Sequence, residues 1–210
     1  FSIIMVFPGT AALVSPTKSP IFNPTINSSA IPTIMPTPGA RFIDLLNWPA
    51  SVTDGFQVAG ASSNAQLGMS VSSAGDVNKD GYGDIVIGAY GATVVNRGAS
   101  SGIAYILFGK AGVRADLDLN SASLGGEEGI QIFGSTSSQL GFSVSGAGDV
   151  NKDGYDDVLI GGRYYSTDSG SVNVGIAVVV FGKPIGAWAD IDILDITPAS
   201  GLGFRVIGNA

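Results

Sequence analysis

Residues 76–84 read DVNKDGYGD, and residues 149–157 read DVNKDGYDD. Each stretch sets an oxygen-bearing side chain at every second position, then a glycine, then a closing aspartate. Asp76, Asn78, Asp80 and Asp84 make the first set; Asp149, Asn151, Asp153 and Asp157 make the second. A short loop wraps a hard cation in this way: carboxylate and amide oxygens point inward, and a glycine permits the sharp turn. At the seventh position the backbone carbonyl is the usual ligand, which assigns that role to the carbonyls of Tyr82 and Tyr155 and leaves both rings free to pack elsewhere. Two calcium sites are expected.

The spacing is shared with the start of an EF-hand loop, but an EF-hand needs a bidentate glutamate at position twelve and a helix on each side. Position twelve is Ile87 in one copy and Ile160 in the other. The loops are followed by DIVIGA (84–89) and DVLIGG (157–162), short β-branched runs ending in glycine or alanine, which read as strands. They are preceded by GMSVSSAG (68–75) and GFSVSGAG (141–148), where apolar and small polar residues alternate. Each loop therefore joins two strands. A metal-free Asx-rich turn is the plainer reading of one copy. Retention of the same Asp, Asn and Gly positions in both copies favours the cation loop.

The composition agrees. Thirty-one glycines among 210 residues, with few helix-forming runs, point to many short strands and tight turns. The formal charge is −7, and six of the seventeen acids are the loop aspartates; two bound divalent ions would bring the sum to about −3. Ten scattered Lys and Arg form no basic stripe, so nucleic-acid binding is disfavoured. Cysteine and histidine are absent, which removes thiolate chemistry, His-based triads and the usual zinc and iron ligand sets. Loops of this kind in extracellular modules often bind calcium at about 0.1–1 mM, a level the cytosol does not supply, so the expected location is extracellular or cell-surface.

Along the chain, residues 1–14 (FSIIMVFPGTAALV) read either as the remnant of a secretory signal or as a strand. Residues 15–40 are rich in Pro, Ser and Thr and read as a linker or inserted loop, with a glycosylation sequon at Asn27. No run reaches the ~18 apolar residues of a membrane span, so membrane association would come only through parts outside this chain. From residue 41 the sequence is periodic. GFQVAG (55–60), GIQIFG (129–134) and GFRVIG (203–208) recur at a constant interval, and GIAYILFGK (102–110) matches GIAVVVFGK (175–183). ADLDL (115–119) and ADIDI (189–193) precede the last two GxxxxG-type runs; the looser RFIDL (41–45) precedes the first. Residues 74–89 and 147–162 differ only at Gly83/Asp156, Ile85/Val158, Val86/Leu159 and Ala89/Gly162. Four strand-like runs per repeat, separated by glycine turns, predict an all-β protein of propeller blades, each a sheet of four antiparallel strands. A single such sheet cannot bury both faces, so neighbours stacked around an axis supply the missing surface.

These residues carry a resemblance to the FG-GAP repeats of the integrin α-subunit β-propeller. They are Leu67-Gly68-Met69-Ser70-Val71 and Leu140-Gly141-Phe142-Ser143-Val144, the two loops, and the endings Ile87-Gly88-Ala89 and Ile160-Gly161-Gly162. No proline follows Ala89 or Gly162. The resemblance covers about residues 41–210, with repeats at about 55–128 and 129–202 and a third beginning at 203. It implies that the cation loop joins the innermost strand to the second. Blade one is then 66–75, 84–89, 102–109 and 129–134; blade two is 140–148, 157–162, 175–182 and 203–208. Residues 55–60 become the outer strand of a preceding blade, and the chain is a partial propeller of about two blades plus an edge. The resemblance further implies a non-enzymatic, extracellular propeller that supports adhesion or recognition of a protein or glycan ligand. The alternative is the non-catalytic propeller portion of a secreted hydrolase, such as a glycosylphosphatidylinositol phospholipase D-like enzyme.

Other candidates are weaker. Glu127-Glu128 is a carboxylate pair, but glycosidase chemistry sets two carboxylates ~5–10 Å apart across a cleft, and neighbours in one loop do not provide that. Trp48, Trp188, Tyr90, Tyr164 and Tyr165 read first as packing residues, with Tyr164-Tyr165 the best placed of them for a binding surface. Lys79 and Lys152, between ligand positions, are expected to point to solvent.

Overall fold

The computed structural model describes residues 2–6, 55–62, 64–112, 114–119, 124–167 and 172–209. The proline-rich segment 15–40 with its sequon, the RFIDL run and Trp48 lie outside the described residues.

In chain order the strands are β1 (Ser2–Val6), β2 (Gly55–Ala59), β3 (Ser70–Gly75), β4 (Asp84–Ala89), β5 (Ile103–Leu107), β6 (Leu117–Asp118) and β7 (Gly129–Phe133). They continue with β8 (Leu140–Gly148), β9 (Asp157–Gly162), β10 (Ile176–Val180), β11 (Ile191–Asp192) and β12 (Gly203–Ile207). Among the described residues the only helical element is a 3₁₀ turn, Ile193–Asp195. The protein is all-β, and its sheets are blades. Blade one is the antiparallel meander β3-β4-β5-β7, and blade two is the antiparallel meander β8-β9-β10-β12. A third sheet pairs β2 antiparallel with β1 and parallel with β6.

The alternation of the strands explains the stacking. On β5, Ala104 and Ile106 face blade two, while Ile103, Tyr105 and Leu107 face the β2 sheet. On β4, Val86 faces blade two, and Ile87 and Ala89 face the other way. Every residue of β5 is buried, because blade one has a neighbour on each side. Each fully buried Val, Leu or Ile contributes about 1.5–3 kcal/mol, so these two layers of apolar contact hold the stack together. Blade two turns Val158, Ile160, Ile176 and Val178 towards blade one. Its opposite face leaves Phe142, Leu159, Phe204 and Val206 exposed. The inner strands approach so closely that Gly88 has no room for a side chain: a Cβ there would stand 2.0 Å from the Gly141 carbonyl oxygen. That contact gives the glycine of Ile87-Gly88-Ala89 its purpose.

The outer strands β2 and β7 also borrow an edge from the blade that follows. β6, from the β5–β7 connection of blade one, pairs in parallel with β2, and β11, from the β10–β12 connection of blade two, pairs in parallel with β7. The repeated ADLDL and ADIDI runs supply these short strands and a clasp beside each. Asp116 Oδ1 accepts the Gln57 N–H at 2.7 Å, and Asp190 Oδ1 accepts the Gln131 N–H at 2.8 Å.

Candidate metal centres

The two nine-residue stretches form the hairpin loops from β3 to β4 and from β8 to β9. A bulge at the end of the inner strand, between Ser73 and Gly75 or between Gly146 and Gly148, turns the chain into each loop. In loop one, Asp76 Oδ1 accepts the Asp80 N–H at 3.1 Å, and its Oδ2 accepts the Gly81 N–H at 3.0 Å. Asn78 Oδ1 also accepts the Asp80 N–H, at 3.0 Å, while Asn78 Nδ2 donates to Asp80 Oδ2 at 2.9 Å. Asp80 Oδ1 accepts the Tyr82 N–H at 2.8 Å. Asp84 closes the loop: Oδ2 accepts the Val77 N–H and Oδ1 accepts the Gly109 N–H, each at 2.7 Å.

Loop two repeats this network bond for bond. Asp149 accepts from Asp153 and Gly154 at 3.1 and 2.9 Å. Asn151 accepts the Asp153 N–H at 3.1 Å and donates to its carboxylate at 2.7 Å. Asp153 accepts from Tyr155 at 3.0 Å, and Asp157 from Val150 and Gly182 at 2.8 and 2.9 Å. Lys79 and Lys152 both adopt left-handed backbone angles, with φ of 60° and 63°. The identity of sequence thus becomes identity of local conformation.

The donor set is entirely oxygen: three carboxylates, an amide oxygen and the seventh-position carbonyl in each loop, the chemistry of a hard divalent cation. The carboxylates accept from backbone N–H groups and from the Asn78 and Asn151 side-chain amides, and among the described residues no three acidic side chains converge on one metal-sized position. Each oxygen that accepts one N–H retains a second lone pair for a cation. The electrostatics of loop one favour one. Burial pushes the Asp84 carboxyl up to about 6; the Gly109 and Val77 N–H groups pull it down, and the nearby Asp80 and Asp76 carboxylates raise it further. A positive ion among these groups would offset both burial and repulsion.

The tyrosines of the seventh position are free to differ, and they do: the Tyr82 ring is exposed, whereas the Tyr155 ring lies under Lys79, whose Nζ is 5.3 Å from its centroid. Lys79 is exposed as expected, but it leans on the other loop and does not simply extend into solvent.

The remaining candidates resolve into structure. Glu128 is held by Lys110 at 2.5 Å and Arg114 at 2.6 Å, and hydrogen bonding from Lys110 draws its carboxyl below the usual range. Arg114 was not singled out by its sequence context. It is buried, donates to the Phe108 carbonyl and stacks 5.4 Å from the Phe56 ring centroid, so it anchors blade one to the β2 sheet. Trp188 is core: its ring packs 5.3 Å from Phe108, and its indole N–H donates to the Lys183 carbonyl at 2.8 Å. Tyr164 and Tyr165 separate. Tyr164 is exposed beneath the Arg163 guanidinium, but Tyr165 is buried in the layer between the blades and is no part of a surface. Tyr90 donates its hydroxyl to Gln66 at 2.6 Å and meets Phe142 edge-on.

Blades of four antiparallel strands, each carrying an oxygen-rich hairpin between its first two strands, define a β-propeller architecture built from repeats. Residues 67–107 and 140–176 match the FG-GAP repeat family. These two stretches carry FG-GAP repeats and are similar to the propeller repeats of integrin α chains. It is 32% identical over 129 residues to integrin alpha pat-2 of Caenorhabditis briggsae, covering 61% of this chain and 9% of that protein. Over 111 residues it is 32% identical to integrin alpha-V of Gallus gallus (51% of this chain, 10% of the relative). Over 90 residues it is 41% identical to phosphatidylinositol-glycan-specific phospholipase D of Bos taurus (40% of this chain, 10% of the relative). The aligned segments thus span about a tenth of these relatives' length.

Proposed function

We infer that this chain is a non-enzymatic, calcium-stabilised propeller segment that works outside the cell and supports adhesion or the recognition of a protein or glycan ligand. The observation that carries the calcium reading is the bond-for-bond identity of the two loops, each lined only by oxygen donors. Bound calcium would neutralise carboxylates that otherwise repel and tie each inter-strand loop to itself. Asp76, Asn78, Asp80, Asp84 and the Tyr82 carbonyl would hold it in loop one; Asp149, Asn151, Asp153, Asp157 and the Tyr155 carbonyl would hold it in loop two. The task is structural: the loops fix the strand ends, and the blades then present connections on a rigid frame, which suits recognition.

Calorimetric titration of the whole chain with calcium tests this. Two ions bind per chain and the melting temperature rises; Asp80→Ala and Asp153→Ala each remove one ion and lower the melting temperature in calcium. A melting temperature indifferent to calcium would sink the reading.

A second reading has its own support: over the aligned stretches the phospholipase D relatives are 41% and 37% identical, above the 32% of the integrins quoted. On that reading the segment is the non-catalytic propeller of a secreted hydrolase. The parent gene separates the two, since a hydrolase domain ahead of the propeller supports the second and adhesion modules with a membrane span beyond it support the first.

A further inference from the structure

The two loops touch. Asp156, the eighth residue of loop two, uses Oδ2 to accept the backbone N–H of Asp76, the first residue of loop one, at 2.9 Å. Its own N–H donates to the Asp76 carbonyl at 3.4 Å, and the Lys183 N–H donates to the Val77 carbonyl at 3.0 Å. Lys79 reaches over Tyr155 from the same side. The entry to loop one is therefore seated on loop two.

Both halves of the contact are specific to this pairing. Gly75, which precedes Asp76, has φ of +81°, and a Cβ there would stand 2.2 Å from Asp156 Oδ2. Its counterpart Gly148 faces open space. Loop one has Gly83 at the position where loop two has Asp156. The one residue that distinguishes the two otherwise identical loops is thus the one that reaches from the later blade to the earlier.

We propose that Asp156 is a positioning residue for loop one, so that filling loop two with a cation prepares loop one to accept its own. The proposal rests on the calcium reading of the loops. The physical reason is preorganisation. Asp76 carries the first ligand carboxylate on a backbone whose N–H is pinned by Asp156, and a pinned backbone has less freedom left to lose when the ion binds. A cation in loop two fixes Asp153, the Tyr155 carbonyl and Asp157 on either side of Asp156, and so fixes the acceptor. The coupling is reciprocal, as any equilibrium linkage between two sites must be.

The test uses the whole chain, calcium alone as the probe, and single-site backgrounds. In Asp153→Ala protein only loop one titrates. There, adding Asp156→Ala is expected to weaken calcium binding about three- to tenfold, while Asp156→Asn, which keeps the acceptor oxygen, stays within about twofold. In Asp80→Ala protein only loop two titrates, and the Ala and Asn changes at 156 should behave alike. Amide hydrogen exchange gives a readout that needs no change at 156: calcium added to Asp80→Ala protein, loading loop two alone, should slow exchange at the Asp76 N–H. Equal affinities for the Ala and Asn changes in the Asp153→Ala background would overturn the positioning role of Asp156, and Asp76 exchange indifferent to calcium in Asp80→Ala protein would overturn the coupling, each while leaving both calcium sites standing. Wild-type protein that binds no calcium would remove the coupling together with the reading beneath it.

Discussion

Loop one and loop two have nearly the same sequence and the same internal hydrogen bonds, yet their surroundings differ. Val77 is 0% exposed and Asn78 3%, whereas Val150 is 47% exposed and Asn151 is open to solvent. Asp84 and Asp157, the closing residues, are buried in both. The shape of each hairpin is therefore set within its own nine residues, by Asx turns and a closing carboxylate that bonds back across the loop. Its burial is set by the neighbour. Blade two covers loop one, and among the described residues nothing equivalent covers loop two.

Substitutions at matched positions can break or sharpen this comparison. The largest difference is expected at the bulge glycines. Gly75→Ala meets both a positive φ and the Asp156 carboxylate and should cost about 2–4 kcal/mol; Gly148→Ala meets only the unfavourable φ and should cost about 1–2 kcal/mol. Chemical denaturation in chelator measures both, and equal costs would mean that the inter-loop contact carries no stability. Next come the second positions. Val77→Ala removes buried methyl groups and should cost about 1.5–3 kcal/mol, against less than about 0.5 kcal/mol for Val150→Ala at an exposed site. The smallest difference lies at the fourth positions. Lys79→Ala gives up its place over the Tyr155 ring, worth about 0.5 kcal/mol at an exposed site. Lys152→Ala should be neutral in thermal melts, and a measurable loss there would reveal a contact to loop two that the structure does not place.

The strands were legible because alternation, glycine endings and the repeated loop are local signals, and their order within a blade followed from the resemblance to FG-GAP repeats. GFQVAG, GIQIFG and GFRVIG became outer strands, and the two Asp-Asn-Asp stretches became hairpins between first and second strands. Contacts between blades were not legible. The repeated ADLDL and ADIDI runs were visible as repeats, but their use as borrowed edge strands depends on pairing across blades. A signal was present: Asp116 follows Gln57, and Asp190 follows Gln131, by the same 59 residues. Arg114 and Tyr165 were missed or misplaced for the same reason, since a charged or phenolic side chain carries no local mark of burial. Burial of Arg114 depends on Phe56 of β2, on the Phe108 carbonyl just after β5 and on Glu128 just before β7, which are far apart in the chain. The exchange of Gly83 for Asp156 carries no local mark of the inter-loop contact that Asp156 makes.

The borrowed strands β6 and β11 have a consequence for where this chain can be cut. The boundary drawn between sequence repeats is not the boundary between structural units, because the outer edges at β2 and β7 are each finished by a segment belonging to the next blade. A chain ended neatly after β7 would retain all four strands of blade one and still lose the two residues of β11 that cover its rim, together with the Asp190 bond to Gln131. Such a piece would carry a bare β7 edge, an invitation to pair with another molecule. Ending it instead past residue 192 would close that rim but strip β12 from β10 and bare an edge there, so the blades interlock by overlaps that no cut between repeats respects.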